Sequence, residues 1–269
     1  MRHSRHAFSR NGMEKAYLLG LRAGDINAWR KTTNTIEVRV STTHPAMAKL
    51  FSDSFEKYGH IMADAGRAYL PGRYRWQIRA HLDNTFRFLL SKTSDLPGER
   101  NRFYAFLGGY SDAECCWSVY FSKGRAKMSW SIESRDLSLL RSISERLTRE
   151  GLHPLHYIYQ ERGNQRFRKD QKIRAPGDKQ SAEIRLVRKH EVLSLAEKLL
   201  QISRHGEKVA KMRLILGIHS MTRVGIVAAL KRIRRKMKTE VRTFEAAAKR
   251  EYKKGKAATL AKGSSASLV

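Results

Sequence analysis

Two carboxylates offer the clearest reactive groups in this chain. Asp25 and Glu114 each end a short apolar segment, and they lie 89 residues apart. Carboxylate oxygens are ligands that Mg²⁺ prefers, and a bound cation can position a water molecule for attack. An acid at the C-terminal end of a helix interacts unfavourably with the helix dipole. Two such placements at matched positions therefore indicate a chemical role rather than a stabilising one.

Small residues four positions apart precede both acids. They are Gly20 and Gly24 in the first segment, and Gly109 and Ala113 in the second. Residues i and i+4 of a helix share a face, and a face of small residues lets two helix backbones approach closely. We therefore predict helices over residues 13–25 and 103–114 that pack together and carry the two acids side by side.

The segments Tyr17–Asp25 and Phe106–Glu114 resemble the double signature of the single-chain LAGLIDADG homing endonucleases. They depart from the usual pattern at Gly108, where Ala is common, and at Cys115 and Ile26, where a closing Gly is common. The resemblance implies an α+β fold of two pseudo-symmetric αββαββα repeats. These would pack through the paired signature helices and set two antiparallel sheets on DNA as a saddle. It also implies a monomer that cuts both strands of a long, asymmetric DNA target, with intron homing as its biological role.

The resemblance further implies a metal site at the paired helix ends. Mg²⁺, with Mn²⁺ or Ca²⁺ as substitutes, would be bound by the carboxylates of Asp25 and Glu114. The backbone carbonyls of Gly24 and Ala113 would complete the protein ligands.

Basic residues beside the acids would stabilise the charge that develops at the phosphate. Lys208 resembles a lysine often found at this place in the family, and Lys92 is its loose counterpart. A solvated surface lysine is the alternative for both. Asp112 is expected to cap a helix or to lie at the surface rather than to bind metal.

Alternating strands supply the predicted DNA surface. Residues 36–41 and 73–82 alternate apolar with polar side chains, which is typical of strands with one buried face. Arg and Gln can read base edges with two hydrogen bonds, and a merely solvated strand face is the alternative. The predicted DNA-binding residues are Arg39, Arg73, Arg75, Gln77, Arg79, Lys127, Ser129 and Arg185.

The pattern of elements repeats with a period near ninety residues. Gly59 and Gly151, each predicted to end a helix, are 92 residues apart, which indicates a domain repeat rather than a solenoid. The predicted segments are a flexible basic arm (1–12), the first repeat (13–93), a linker (94–101), the second repeat (102–218) and a basic extension (219–269). We expect the extension to be helical up to about Tyr252. It is either a clamp for further phosphates or a mobile tail.

The overall charge points to a polyanionic partner. The formal charge of +29 on 269 residues indicates nucleic acid first. We expect no membrane partner, because no apolar run reaches the length that spans a bilayer.

The only two cysteines, Cys115 and Cys116, are adjacent and cannot link distant parts of the fold through a disulfide. We expect both to be buried, in an intracellular, reducing compartment such as the cytoplasm or an organelle matrix.

Three functions remain open at this point. A metal-dependent DNA endonuclease leads. An RNA-binding maturase, acting on its own intron RNA, and a catalytically silent DNA-binding regulator are the alternatives on the same fold. Intact acids at Asp25 and Glu114 argue against the regulator. They do not separate the endonuclease from the maturase, because a bifunctional protein would keep both.

Overall fold

The computed structural model of the chain describes residues 4–92, 95–160 and 180–265, with only the backbone at residues 160, 180 and 257–265. The first repeat contains α1 (Gly12–Ala23), β1 (Asn27–Thr32), β2 (Thr35–Thr42), α2 (Pro45–Phe55), β3 (Ile61–Arg67), β4 (Tyr74–Asp83) and a 3₁₀ helix (Asn84–Leu89). The second contains α3 (Arg100–Glu114), β5 (Cys115–Ser122), β6 (Arg125–Ser134), α4 (Leu137–Arg149), β7 (Leu155–Gln160), β8 (Gln180–Leu186) and α5 (Lys189–Leu200). A second 3₁₀ helix (Ile218–Ser220) separates the last two helices, α6 (Gly206–Gly217) and α7 (Arg223–Ser265).

Each repeat forms one four-stranded antiparallel sheet with the same topology. The strand orders are β1-β2-β4-β3 and β5-β6-β8-β7. The predicted α+β fold with two αββαββα repeats is therefore confirmed. In the first repeat the closing helix is of the 3₁₀ type.

One face of each sheet is buried beneath the helices. In β4, Ile78, Ala80 and Leu82 are at most 5% exposed, and the residues between them point to the opposite side. In the second sheet Trp117 and Trp130 fill the corresponding layer, with their ring centroids 6.5 Å apart. Because side chains alternate along a strand, this leaves a polar face on each sheet.

The N-terminal arm was expected to be flexible, and for residues 4–11 this prediction is wrong. Phe8 is only 8% exposed, and its ring lies 5.3 Å from that of Phe86 and 5.9 Å from that of Tyr58. Its backbone N–H donates to Thr85 Oγ1 at 2.8 Å. One aromatic side chain thus anchors the polar arm to the first repeat.

From Arg223 onward, the described part of the C-terminal extension is one helix, and it packs on the first sheet. It continues to Ser265, beyond the predicted end near Tyr252. The ring of Phe244 lies 6.0 Å from that of Trp76, whose Nε1 donates to the Phe244 carbonyl at 3.2 Å. Trp76 shares its strand face with buried Ile78. Helix α7 therefore lies on the helical side of the sheet, opposite the polar face.

Several predicted boundaries shift. Helix α3 begins at Arg100, inside the predicted linker, and α2 ends at Phe55, before Gly59. Gly59 instead lies against the carbonyl of His81, where an added Cβ would be 2.2 Å from the oxygen. Gly151 does follow α4, with a φ of +81° that suits glycine. The basic, polar sequence of residues 163–180 predicts an extended loop, and this segment lies outside the described residues, except that β8 begins at Gln180.

Among the residues that the structure describes, no helix combines the length and apolar composition needed to cross a bilayer.

Candidate nucleic-acid and metal site

The site is built on the contact between α1 and α3. An added Cβ on Gly20 would lie 2.0 Å from the carbonyl oxygen of Phe106, and one on Gly109 would lie 2.0 Å from that of Tyr17. No side chain fits at these distances, so the two backbones are in direct contact. The predicted small residues therefore lie at the interface of the two helices.

Asp25 and Glu114 meet at the C-terminal end of this helix pair. An added Cβ on Gly24 would lie 2.4 Å from the Cβ of Ala113 and 3.4 Å from Glu114 Oε1. The Glu114 side chain thus lies against Gly24, the residue that precedes Asp25. Both residues are open to solvent on one side while protein atoms surround their carboxyl groups.

Burial disfavours the charged forms of both acids, and repulsion by Asp25 adds to this effect at Glu114. Burial raises the pKa of Asp25 and that of Glu114, and the charge of Asp25 raises the pKa of Glu114 further. Lys208 and Lys92 oppose this and lower the pKa of both carboxyls. Two repelling carboxylates with two lysines beside them form a site that favours additional positive charge.

Lys208 and Lys92 approach the acids in different ways. Lys208 lies in the first turn of α6, and its Nζ donates to the carbonyls of Ser111 and Asp112 at 2.6 and 2.7 Å. These carbonyls belong to the last turn of α3. Lys92 is exposed and follows the 3₁₀ helix of the first repeat.

Asp112 is a buried capping residue and does not lie at the surface. It is 0% exposed and accepts hydrogen bonds from the backbone N–H groups of Arg204 and His205, at 2.6 and 3.2 Å. The hydroxyls of Tyr17 and Ser203 also donate to it. The predicted capping role thus has a definite target, the segment that leads into α6.

Arg22 is a buried site residue that sequence reasoning missed. Its Nε donates to the carbonyl of Leu89 at 2.8 Å, and one terminal nitrogen donates to that of Ile26 at 3.1 Å. It joins α1 to the segment that precedes Lys92. A charged residue inside an otherwise apolar helical run is the signal that could have identified it.

The polar face of the first sheet carries most of the predicted DNA contacts. Arg39 and Arg79 are cross-strand partners, and Gln77 lies opposite Ser41. The guanidinium of Arg39 lies 4.7 Å from the ring centre of Trp29, an aromatic residue on the same face that the sequence did not single out. Arg75 extends this face toward the β3–β4 turn.

Arg73 differs from the other predicted contacts. It precedes β4, and its Nε is paired with the carboxylate of Glu245 in α7. The same carboxylate accepts the backbone N–H of Tyr74 at 3.2 Å. Arg73 therefore ties the extension to the sheet.

Acids on neighbouring strands modify the basic face. Arg79 pairs with Asp64 at 2.7 Å, and Glu37 accepts from Lys31 and His81. Strand β4 carries Arg75 and Arg79 on this face, and its neighbours β2 and β3 supply the acids Glu37 and Asp64. These ion pairs orient Arg79, Lys31 and His81 on the face.

The second sheet presents a smaller set of polar side chains. Lys127 is exposed, but Ser129 is only 7% exposed. The guanidinium of Arg185 donates several hydrogen bonds to the Glu183 carboxylate, with nitrogen–oxygen distances of 2.8–3.0 Å.

Cys116 is exposed on this face, so the expectation that both cysteines are buried is wrong for it. Burial raises the pKa of the Cys115 thiol to about 12.

No group of three or more His, Cys, Asp and Glu side chains is arranged for a metal ion in the described ranges. Asp25 and Glu114 form a pair only. A cation between them would therefore complete its coordination with backbone carbonyls and water, which are oxygen ligands that Mg²⁺ accepts.

Paired helices, matched sheets and central acids define a two-repeat α+β protein with the architecture that the LAGLIDADG resemblance implied. No protein-family model matches the chain, and no curated protein matches it. Solved structures of LAGLIDADG homing endonucleases are similar to it. A point mutant of I-SmaMI has a TM-score of 0.48 and 9% identity, over 82% of this chain and 96% of that chain. For mesophilic variants of the homing endonuclease I-DmoI, the values are 0.45 and 14%, over 75% and 97%.

A third similar structure is the LAGLIDADG homing endonuclease I-GzeII in complex with its DNA target. It has a TM-score of 0.45 and 8% identity, over 81% of this chain and 96% of that chain. These values are low, so the residues of this chain must support any proposed function.

Proposed function

We propose that this protein is a site-specific, metal-dependent DNA endonuclease that hydrolyses one phosphodiester bond in each strand of a duplex. The observation that carries the proposal is the meeting of Asp25 and Glu114 at the end of the helix pair, just before the first strand of each sheet. A pair of acids whose charged forms are disfavoured by burial has no stabilising role at that position. An acid pair at this position suits a chemical role.

Asp25 and Glu114 are the proposed metal ligands, with the backbone carbonyls of Gly24 and Ala113 as further donors. Mg²⁺ is the proposed cation, and when bound it would neutralise charge at the phosphate and lower the pKa of a water molecule. The chain's own residues position the scissile phosphate and stabilise its charge. Lys208 is the stronger candidate for the second task, because its ammonium is fixed beside both acids.

The two sheet faces are the proposed DNA-binding surface. Arg39, Arg75, Gln77 and Arg79 would read bases in the first half, and Lys127 and Arg185 in the second. The ion pairs of Arg79 and Arg185 hold these side chains in place before DNA arrives. Excess Lys and Arg elsewhere would contact phosphates, so affinity should fall steeply with salt.

An RNA-binding maturase is the second candidate, and α7 is the observation that favours it. Its inner residues pack on the first sheet, while Lys231, Arg234, Arg235 and Lys238 are exposed. Because α7 lies on the helical side of the sheet, these cations are directed away from the polar face. A second polyanion could bind there while DNA occupies the sheets.

The test is cleavage of a plasmid that carries the gene's own insertion locus joined without the intron. Wild-type protein is compared in Mg²⁺ and in EDTA, beside Asp25→Asn and Glu114→Gln. A matched control is Asp53→Asn, which removes an exposed acid that pairs with Lys49 on α2. The proposal expects metal-dependent linearisation that both site substitutions abolish and that the control retains.

Two outcomes would overturn the proposal. Tight binding of this DNA without cutting in any divalent metal would favour the regulator or the maturase. Retained cleavage in either Asp25→Asn or Glu114→Gln would remove that acid from the site. Binding of intron RNA to a protein with its acids substituted would support the maturase on separate ground.

A further inference from the structure

A fully buried carboxylate beside the acid pair takes no part in the proposed metal site. Asp112 lies two residues before Glu114 on α3, and its oxygens accept four hydrogen bonds. Three of the four donors belong to one short segment, residues 203–205, between α5 and α6. The fourth is the phenol of Tyr17, on α1.

The segment bound by Asp112 leads directly to Lys208. Helix α6 begins at Gly206, so Lys208 lies within its first turn. The Lys208 ammonium then returns to the carbonyl of Asp112 itself, at 2.7 Å, and to that of Ser111, at 2.6 Å. The Asp112 side chain therefore binds the segment that leads to Lys208, and the Asp112 carbonyl binds the Lys208 ammonium.

The first repeat lacks this arrangement. Counting back 89 residues from Asp112 gives Ala23, which has no polar side chain. Arg22, its neighbour, donates instead to the carbonyl of Leu89, three residues before Lys92. The second repeat thus holds its lysine through a buried carboxylate, and the first repeat has no carboxylate at the matching position.

We propose that Asp112 is a positioning residue that holds Lys208 beside Asp25 and Glu114, rather than a metal ligand or a general stabiliser of the fold. The functional part of this claim rests on the proposed nuclease activity. The positional part does not, because it concerns where the Lys208 ammonium lies in the protein without metal or DNA. The two parts can therefore be tested separately.

The positional test is acetylation of lysines in the full-length, metal-free protein by an N-hydroxysuccinimide ester of acetic acid, read by peptide mass spectrometry. In the wild type, two carbonyl acceptors protect the Lys208 amine. In Asp112→Asn the amide N–H₂ can face the Ser203 hydroxyl, and the remaining oxygen keeps the other three donors without its negative charge. Because these bonds are weaker with a neutral acceptor, the 203–205 segment loosens and Lys208 should react about tenfold faster, on the scale of one lost charge-assisted hydrogen bond. Ser203→Ala, which removes one donor of the segment, should give a smaller increase and serves if Asp112→Asn does not fold.

Glu191→Gln is the matched control. Glu191 is another buried carboxylate, 1% exposed, that accepts a backbone N–H and an imidazole, both from His153. It lies on α5, and its amide variant should destabilise the fold to a similar extent. A general stabilising role for Asp112 predicts that both variants speed the labelling of Lys208. A positioning role predicts that only Asp112→Asn does.

The functional test is a double-mutant cycle on single-turnover cleavage. Lys208→Gln should slow cleavage about 100-fold, as expected for one lost electrostatic contact. Asp112→Asn should slow it by a similar factor, and the double variant should be no slower than Lys208→Gln alone. Additive losses, or Lys208 labelling unchanged in both Asp112→Asn and Ser203→Ala, would overturn the proposal. A wild-type protein that cuts no DNA would reject the nuclease, and the labelling would still decide the position of Lys208.

Discussion

Replacing Gly20 by Ala should separate the two helices on which the site depends. The added Cβ would lie 2.0 Å from the carbonyl oxygen of Phe106, whereas an ordinary contact begins near 3.4 Å. The backbone fixes the positions of both the added Cβ and the carbonyl oxygen, so no side-chain rotation can relieve the clash. The helices must therefore move apart by about 1.4 Å at this point, or one of them must bend.

The cost of this movement follows from the loss of packing along the interface. A gap of 0.5–1 Å already removes about a quarter to a half of the dispersion energy of each contact. Overpacking of a well-packed core costs about 1–3 kcal/mol, occasionally more. Because the clash here is with backbone, we expect about 3 kcal/mol, or a fall in Tm of about 6–12 °C for a chain of this size.

We expect the cleavage rate of Gly20→Ala to fall even at temperatures where the variant is fully folded. Glu114 is the last residue of α3, and Asp25 follows the last residue of α1 by two positions, so a shift at Gly20 changes the distance between them. A displacement of about 1 Å in a catalytic arrangement can cost about 100-fold in rate. The assay is therefore paired: Tm by calorimetry, and cleavage at a temperature where the variant is fully folded.

Gly217→Ala is the control. Gly217 ends α6, and an added Cβ there meets no atom within 4 Å. Since Ala is favoured over Gly in a helix, this variant should be neutral or more stable by up to about 1 kcal/mol. A Gly20→Ala protein with the Tm and cleavage rate of the wild type would refute the close backbone contact. Equal losses in both variants would refute it as well.

Three further predictions concern separate parts of the molecule. Glu114→Gln should slow cleavage more than about 100-fold yet raise Tm at pH 7. Because burial raises the folded-state pKa of Glu114, its ionisation destabilises the fold, and the gain in Tm should shrink as pH falls toward the unfolded pKa. Glu245→Gln should cost about 1 kcal/mol at pH 7. Burial works against ionisation of Glu245, but the hydrogen bond from Arg73 leaves its pKa lowered. In urea titrations the loss relative to wild type should therefore shrink as pH falls below the unfolded-state pKa, and vanish once pH passes the lowered folded-state pKa. Phe8→Ala should cost about 3 kcal/mol by urea denaturation, whereas a flexible arm would give no change.

The helix pair was predictable because its signals are local. Spacing of small residues fixes which face of each helix can accept another backbone, and the acids follow on the same helices. The strand with Ile78 was equally clear, because one of its faces is buried. Strands β1 and β3 were not located, since their exposure patterns lack regular alternation. Both are edge strands, which need less apolar surface.

Contacts between distant segments could not be read from the sequence. Arg73 was placed among the DNA contacts, but its partner Glu245 is 172 residues further along the chain. Asp64 reaches Arg79 only through the register of β3 with β4. Cys116 was expected to be buried with its neighbour, yet β5 begins at Cys115, so successive residues point to opposite faces.

The ion pair between Arg73 and Glu245 belongs to a larger contact that fixes α7 on the first repeat. Without α7, the aromatic rings of Tyr74 and Trp76 would be uncovered near the β3–β4 turn, and the Trp76 indole would lose its acceptor. These rings make α7 part of the first repeat rather than a mobile tail. Its exposed cations, including Arg234 and Arg235, are consequently held on a rigid helix at fixed spacing. A polyanion bound there would meet a preformed array and would not have to order a flexible chain.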